Sequence, residues 1–125
     1  MLTRQPYDAL CAGFDWDLPE RLNMARQVCD AWAARAPDRL AILDLSGTGR
    51  VEVSYGALSA LADRVQAALL ERGVARGDRV GVLLSQSPLC AASHVAIWRL
   101  GAVSLPLFTL FEEGGLRARV GDAGA

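Results

Sequence analysis

The apolar residues between Ser54 and Gly73 recur with the period of an α-helix. Residues three and four positions apart share one helix face, and the apolar stripe consists of Leu58, Leu61, Ala62, Val65, Ala68 and Leu69. Ser54 is a favourable N-cap, and Gly73 suits the left-handed position that follows a helix. The pattern therefore predicts an amphipathic helix with one face against a core.

Three further segments indicate helices. Asn23 is a potential N-cap for a helix that Pro37 ends, and its apolar face is predicted to carry Met24, Val28, Ala31 and Trp32. Ser87-Pro88 combines an N-cap with proline at the first helical position, and Gly101 suits the end of that helix. A last short helix is predicted to begin near Glu112.

Four short segments have the pattern of strands, namely 40–43, 50–53, 79–84 and 102–105. The first two flank the turn-forming residues Ser46-Gly47-Thr48-Gly49, which predicts a β-hairpin. The last two are apolar on both faces, as in buried parallel strands, and Pro106 is predicted to end the second. Strand–helix–strand order with short links predicts an α/β fold, with a partial parallel sheet flanked by helices and a β-hairpin beside it.

Residues 1–22 have no steady period and are predicted to form an extended lead-in to a domain at 23–125. Three apolar residues alternate with aspartates there, which fits a short strand or side chains that pin the lead-in to a surface: Phe14, Trp16 and Leu18. The first eight residues lack the apolar core of a signal peptide.

The composition excludes several classes of function. All 13 basic residues of the 125 are arginines, and the net charge is −1. A chain without lysine cannot supply a Schiff-base lysine or the lysine of a phosphate loop. Binding of nucleic acid by bulk electrostatics needs a surplus of positive charge, so no nucleic-acid partner is expected. No apolar stretch is long enough for a membrane span.

The three cysteines are widely spaced and include no CxxC pair: Cys11, Cys29 and Cys90. This spacing argues against a zinc or disulfide framework and predicts a cytoplasmic protein.

Two loops could carry chemistry, and each has a structural interpretation that is favoured. The segment 46–49 resembles a phosphate loop, but a strand-like segment follows it where a phosphate loop needs a helix, so a hairpin turn is favoured. The segment 85–88 lies at the carboxyl end of a predicted strand, where ligands bind in α/β sheets. Capping of the next helix by Ser87 is nevertheless the favoured role.

Isolated side chains give no stronger signal. His94 lies one helical turn from Cys90 and from Trp98, but a nucleophilic site needs a third group to orient the base, so a packed or partner-facing histidine is favoured. Trp32 and Trp98 are predicted to lie in the core, and the scattered arginines on solvated helix faces. No catalytic, cofactor-binding or metal-binding residue is assigned.

Three stretches, in order and with the expected gaps, resemble motifs of the adenylate-forming (AMP-binding) acyl-CoA synthetase superfamily. Val53–Leu58 resembles its "[T/S]-Y-x-E-L" element and Leu69–Val80 its "L-x-x-x-G-V-x-x-G-D-x-V" element. Ala96–Leu107 resembles "A-x-x-x-x-G-A-x-x-x-P-L". Two departures are Ala57, where the family has glutamate, and Glu112, where it has glycine.

Two more stretches are similar to the acetyl- and medium-chain acyl-CoA synthetase branch. Residues 18–25 with 29–33 look like its N-terminal lead, and 106–119 resembles its "P-L-F-x-x-F-G-x-x-x-L-x-x-R" element. The resemblance thus covers about residues 18–125.

The resemblance implies a role within a much longer enzyme of fatty acid metabolism. Such enzymes join a carboxylate to ATP, forming an acyl-adenylate and pyrophosphate, and pass the acyl group to CoA. ATP, Mg and CoA are therefore implied for the parent enzyme. The phosphate-loop lysine, the ribose-binding aspartate and the catalytic lysine of the family lie downstream of the motifs seen here. The chain is thus expected to be an N-terminal fragment that serves as scaffold without catalysis.

Its implied partner is the remainder of the synthetase large domain, and self-association through an exposed sheet edge or apolar faces is expected. An alternative is a stand-alone, non-catalytic interaction module derived from this family. A small flavodoxin-like nucleotide binder is disfavoured, because 85–88 is not the Gly-rich loop it needs.

Overall fold

The computed structural model describes residues 6–125. In chain order its helices and strands are α1 (Tyr7–Ala12), a π-helical turn (Arg26–Asp30) that continues as α2 (Ala31–Arg35), β1 (Leu40–Asp44), β2 (Val51–Ser54), α3 (Tyr55–Glu71), β3 (Arg79–Leu83), α4 (Pro88–Arg99), β4 (Val103–Leu107) and α5 (Glu113–Ala123). The predictions for residues 1–5, including the signal-peptide interpretation of the N-terminus, lie outside the described residues.

The strands form two separate two-stranded sheets. β1 and β2 pair antiparallel as the predicted hairpin, with an irregularity between Leu40 and Ile42. β3 and β4 pair in parallel through α4, with Val82 opposite Pro106. The predicted α/β fold, a parallel strand pair with helices and a hairpin, is confirmed.

The sequence pattern predicts that the two parallel strands are buried on both faces, and this prediction is wrong. In β3 only Val82 is fully buried, whereas Leu83 is 44% exposed, and in β4 Val103 is 52% exposed. The reason is that α4, together with Leu69 of α3, packs against one face, while the other face lacks a full helical layer in residues 6–125. Pro106 does not end β4 but lies within it, opposite Val82, and edge strands tolerate proline better than central strands do.

The core lies between α3, α4 and the π-helical turn. Its buried members are small or β-branched with few exceptions, which lets the helices approach closely: Ala25, Cys29, Leu58, Ala62, Ala92, Val95 and Ala96. A second, smaller cluster joins α4 to the parallel strands through Val82, Cys90, Ile97 and Ala102. α4 is therefore the element shared by both clusters.

The buried face of the helical segment formed by the π-helical turn and α2 differs from the predicted one. Ala25 and Cys29 are fully buried, whereas Met24 and Val28 are 48% and 50% exposed. Ala25 and Cys29 keep the four-residue spacing of one helix face, so the buried face is shifted by one residue from the predicted face.

The predicted extended lead-in contains a helix, since α1 is helical over six residues. Residues 14–19 form neither a strand nor a pinned segment. Phe14, Trp16 and Leu18 are 61%, 72% and 67% exposed. The rings of Phe14 and Trp16 contact each other edge to face at 5.0 Å.

The predicted helix caps are confirmed. Ser54 Oγ accepts a hydrogen bond from the Ala57 N–H at 3.2 Å, and Asn23 Oδ1 accepts one from the Arg26 N–H at 3.4 Å. Gly73 adopts a φ of +82°, which residues with a side chain rarely adopt, so its place after α3 requires glycine.

Candidate functional site

An apolar groove of about 780 Å³ lies between the β1–β2 hairpin and α4. Ile42, Leu45 and Tyr55 line its hairpin side, and Ser87, His94 and Trp98 line its α4 side. An apolar groove with a few polar groups is the usual form of a small-molecule site, which makes it the first place to look for chemistry.

The polar residues at the start of α4 are committed to the helix. Ser87 Oγ accepts from the Cys90 N–H at 3.3 Å and donates to the Ser85 carbonyl at 3.2 Å. Ser87 is thus a structural N-cap, as the sequence favoured, and its hydroxyl hydrogen is already used. The first turn of α4 contains no acidic residue.

His94 is held by three contacts on one side of the groove. Its Nδ1 shares a hydrogen bond with Ser104 Oγ at 2.5 Å, its Nε2 lies 3.9 Å from the Cys90 sulfur, and its ring stacks on Trp98 at 5.8 Å between centroids. Burial lowers the pKa of His94 below its ordinary value, because a charged imidazolium loses hydration there. None of the ion pairs in residues 6–125 includes His94.

These contacts are those of a packed histidine, and they include no charged group that would orient His94 as a general base. A histidine general base that activates a thiol needs a group that holds it and stabilises the imidazolium. Ser104 is neutral, and the depressed pKa disfavours the imidazolium. His94 thus packs against Ser104, Cys90 and Trp98. Ser104 was missed as its partner, because it lies in another element and only the β4 pairing brings it there.

Arg99 is the polar residue that the sequence interpretation missed. Its guanidinium donates to Asp30 Oδ1 at 2.6 Å, to Asp63 Oδ1 at 2.6 Å and to Ser59 Oγ at 2.7 Å. Burial by itself lowers the pKa of Arg99, but the hydrogen bond and charge of Asp30, with the charge of Asp63, raise the pKa overall. Arg99 is not on a solvated face, since its side chain is only 12% exposed. The sequence held one indication of this role, namely an arginine in the last turn of a largely apolar helix.

The two tryptophans that were assigned to the core differ. Both are half-buried, but Trp98 packs against the main cluster and Trp32 does not belong to it. Trp32 stacks on Tyr55 at 5.7 Å, and the guanidinium groups of Arg35 and Arg39 lie 4.1 and 4.3 Å from its ring centre. The structure therefore places Trp32 in a cation–π stack at the surface, because arginines from the end of α2 and the following loop cover it.

The glycine-containing loop at 46–49 is a hairpin turn between β1 and β2, as predicted. Asp44 Oδ1 accepts from the backbone N–H of Ser46 at 2.9 Å and from its hydroxyl at 2.6 Å. These two hydrogen bonds lower the pKa of Asp44. The N–H and hydroxyl groups of Ser46 are therefore both used in hydrogen bonds within the hairpin.

Among residues 6–125 no three His, Cys, Asp or Glu side chains are grouped so that they could hold a metal ion. No helix of the described chain combines the length and the apolar character that crossing a bilayer requires. All three cysteines have free thiols.

Comparison with protein families and curated proteins gives a consistent result. The family model described as AMP-binding enzyme matches residues 29–125. Acetyl-coenzyme A synthetase of Penicillium chrysogenum is 38% identical over 111 residues, which cover 86% of this chain and 16% of that protein. Acetyl-coenzyme A synthetase 1 of Candida albicans is 34% identical over the same shares. The chain thus spans 16% of the length of these relatives.

Solved structures agree with the sequence comparison. The acyl-CoA synthetase of Brucella canis matches 95% of this chain and 23% of its own, with a TM-score of 0.81 and 28% identity. The N-terminal subdomain of Klebsiella oxytoca NpsA matches 83% of this chain and 26% of its own, with a TM-score of 0.71 and 26% identity.

Proposed function

Because this chain belongs to the family of AMP-binding enzymes, we propose that it is the N-terminal part of the large domain of an AMP-forming acyl-CoA synthetase. The whole enzyme would activate a carboxylate, acetate or a medium-chain fatty acid, with ATP and pass the acyl group to CoA. The observation that carries the proposal is the similarity to acetyl-coenzyme A synthetases over 86% of the chain.

Within that enzyme the 125 residues serve as scaffold. The helices α3 and α4 support one face of the β3–β4 pair, and the remainder of the large domain would cover the apolar residues on the opposite face. Leu83 and Val103, 44% and 52% exposed, are the residues that such a layer would bury. Burial of each would contribute about 1 kcal/mol or more to the assembled domain.

The residues present do not fit the substrates and metal ion of the whole enzyme. The chain has no lysine for a phosphate loop, and the described residues contain no carboxylate cluster for Mg²⁺. The hydroxyl groups of Ser46 and Ser87 are used within their own turn and helix. ATP, Mg and CoA are therefore assigned to the rest of the enzyme, and no catalytic step is assigned to this chain.

ATP–pyrophosphate exchange tests the scaffold role. The isolated chain should show only background exchange with acetate or medium-chain carboxylic acids, whereas a full-length acetyl-coenzyme A synthetase run in parallel should exchange readily. Exchange above background by the isolated chain would contradict the scaffold role.

An alternative is a stand-alone interaction module without catalysis. Phe108 and Leu110 are 61% and 93% exposed. Because exposed apolar side chains favour association, these two residues support the interaction module. The DNA after codon 125 discriminates the two. Coding sequence that continues into a Ser/Thr/Gly-rich loop ending in lysine supports the synthetase, and an immediate stop codon supports the module.

A cytoplasmic location completes the proposal. It is supported by the three free thiols, which persist in a reducing compartment. Fractionation of cells that express a tagged protein checks this, and recovery from a secreted fraction would contradict it.

A further inference from the structure

A second groove, about 1160 Å³ in volume, lies at the C-terminal end of α4, where Arg99, Leu100 and Gly101 line it. We call it the arginine groove, because five arginines line it and Glu20 is the acidic residue in its lining: Arg21, Arg26, Arg35, Arg76 and Arg99. The chain as a whole carries a net charge of −1, so this concentration of positive charge is local.

The walls of the arginine groove are anchored to the C-terminal end of α4. Asn23 Nδ2 donates to the Trp98 carbonyl at 2.7 Å, which ties the segment before the π-helical turn to α4. The Gly77 N–H donates to the Gly101 carbonyl at 3.1 Å, which places Arg76 beside the same helix end. Two walls of the groove are therefore tied by hydrogen bonds to the end of α4.

Among the described residues, four of the five arginines are not neutralised by a carboxylate, and one of these four, Arg35, stacks on Trp32. Arg99 is neutralised by Asp30 and Asp63. In residues 6–125 no carboxylate oxygen lies within ion-pair distance of Arg21, Arg26, Arg35 or Arg76. A cleft lined by charge of one sign raises the local concentration of the opposite ion.

The negative end of the α4 dipole does not account for these arginines. The Trp98 carbonyl accepts from Asn23 and from the Gly101 N–H, and the Ala96 and Ile97 carbonyls accept from the Leu100 and Ala102 N–H groups. Amide groups thus satisfy these three carbonyls, so none of the three needs an arginine as its donor.

We propose that the arginine groove binds a small molecule that carries two or more linked phosphates. Guanidinium groups match phosphate oxygens with paired N–H donors, and four of them suit a multiply charged anion better than a single carboxylate. The volume is of the order of known small-molecule sites. A compact anion needs only the guanidinium donors of the groove, and an acidic peptide is the alternative that the titration below distinguishes.

Calorimetric titration of the full chain with inorganic tripolyphosphate at low salt tests this proposal. One saturable site is expected, and the double variant Arg26→Gln/Arg76→Gln should weaken binding about tenfold or more, because each lost charge-assisted contact is worth roughly 1.5 kcal/mol. The control Arg50→Gln/Arg117→Gln removes the same charge from the hairpin turn and α5, and should change affinity less than about twofold. Far-UV circular dichroism checks folding, and Arg21→Gln/Arg76→Gln serves as a second test pair.

Three results would overturn the proposal. The first is the absence of saturable binding up to about 1 mM tripolyphosphate, the limit of weak association. The second is equal weakening by both double variants, which would mean attraction to overall charge. The third is tighter binding of a glutamate octapeptide than of tripolyphosphate, which would assign the groove to an acidic protein segment.

Discussion

Arg99 links three helical segments through one side chain. It lies at the end of α4 and bonds Asp30 from the π-helical turn and both Ser59 and Asp63 from α3. A guanidinium group that is largely removed from water must have its donors satisfied, since an unpaired buried charge costs several kcal/mol. The network therefore specifies how these helices meet.

Replacing Arg99 with leucine should destabilise the fold by about 2 kcal/mol. The loss leaves Asp30 partly buried beside Cys29 without its partner, although solvent at Asp63, 69% exposed, screens part of the effect. Urea unfolding followed by circular dichroism measures it. The control Arg117→Leu removes a solvent-exposed ion pair in α5 and should change the free energy of unfolding by less than about 0.5 kcal/mol. An equal loss of stability in both variants would contradict the prediction for Arg99.

His94 should make stability depend on pH. Because burial lowers its pKa in the folded chain, the unfolded chain takes up a proton first as the pH falls below the ordinary value of 6.5. The contribution of neutral His94 is thus fully present above pH 6.5 and is lost as the pH falls through the folded pKa.

The free energy of unfolding is expected to decrease between pH 7.5 and about pH 5, and His94→Gln should reduce this decrease. Urea titrations of both proteins across that range measure the difference. An identical pH profile in the two proteins would mean that carboxylates account for the whole effect.

At the scale of elements, the π-helical turn carries part of the face that enters the core, and this face lies one residue further along the chain than the predicted one. The turn places Ala25 and Cys29, both without exposed surface, against α3 and α4. The sequence pattern predicts the neighbouring face with Met24 and Val28, which has the same four-residue spacing. Small side chains at the contact permit the close approach that the Arg99 network requires.

Ala25→Leu should therefore destabilise the chain by about 1–3 kcal/mol, because added methylene groups cannot be accommodated in a packed interface. Val28→Leu adds a methylene group at a position that is 50% exposed and should be close to neutral. Thermal unfolding of the two variants compares them. The opposite order of stability would mean that the predicted α-helical face is the one that packs.

At the scale of the whole molecule, one face of the parallel strand pair stays incompletely covered. The exposed apolar residues on β3 and β4 would lie between two layers in a complete α/β domain, in which helices cover both faces of a parallel sheet. In isolation such a face and the free strand edges favour self-association.

Sedimentation velocity of the isolated chain should thus show dimers or larger species whose share grows with concentration. Leu83→Lys/Val103→Lys should shift the chain towards monomer, because lysine at the strand surface opposes edge and face contacts. The control Leu70→Lys changes a leucine on α3 that is 53% exposed and should leave the distribution unchanged. A monomeric wild-type chain at all concentrations would contradict the prediction.

The sequence by itself determined the helices and strands of residues 23–125 closely, because their signals are local. Serine and asparagine caps, Pro88 at the start of α4 and the glycines after α3 and α4 act on neighbouring backbone groups, so a linear reading finds them. The family followed from motifs that are likewise local.

Only the tertiary structure decided which faces and side chains meet. The burial of Ala25 and Cys29, the pairing of His94 with Ser104 and the Arg99 network join residues that are distant in the chain. The gathering of four unpaired arginines into one groove also depends on how separate segments meet at the end of α4. Such contacts depend on helix register and on the distance between elements, which a single-residue π insertion or one small side chain changes.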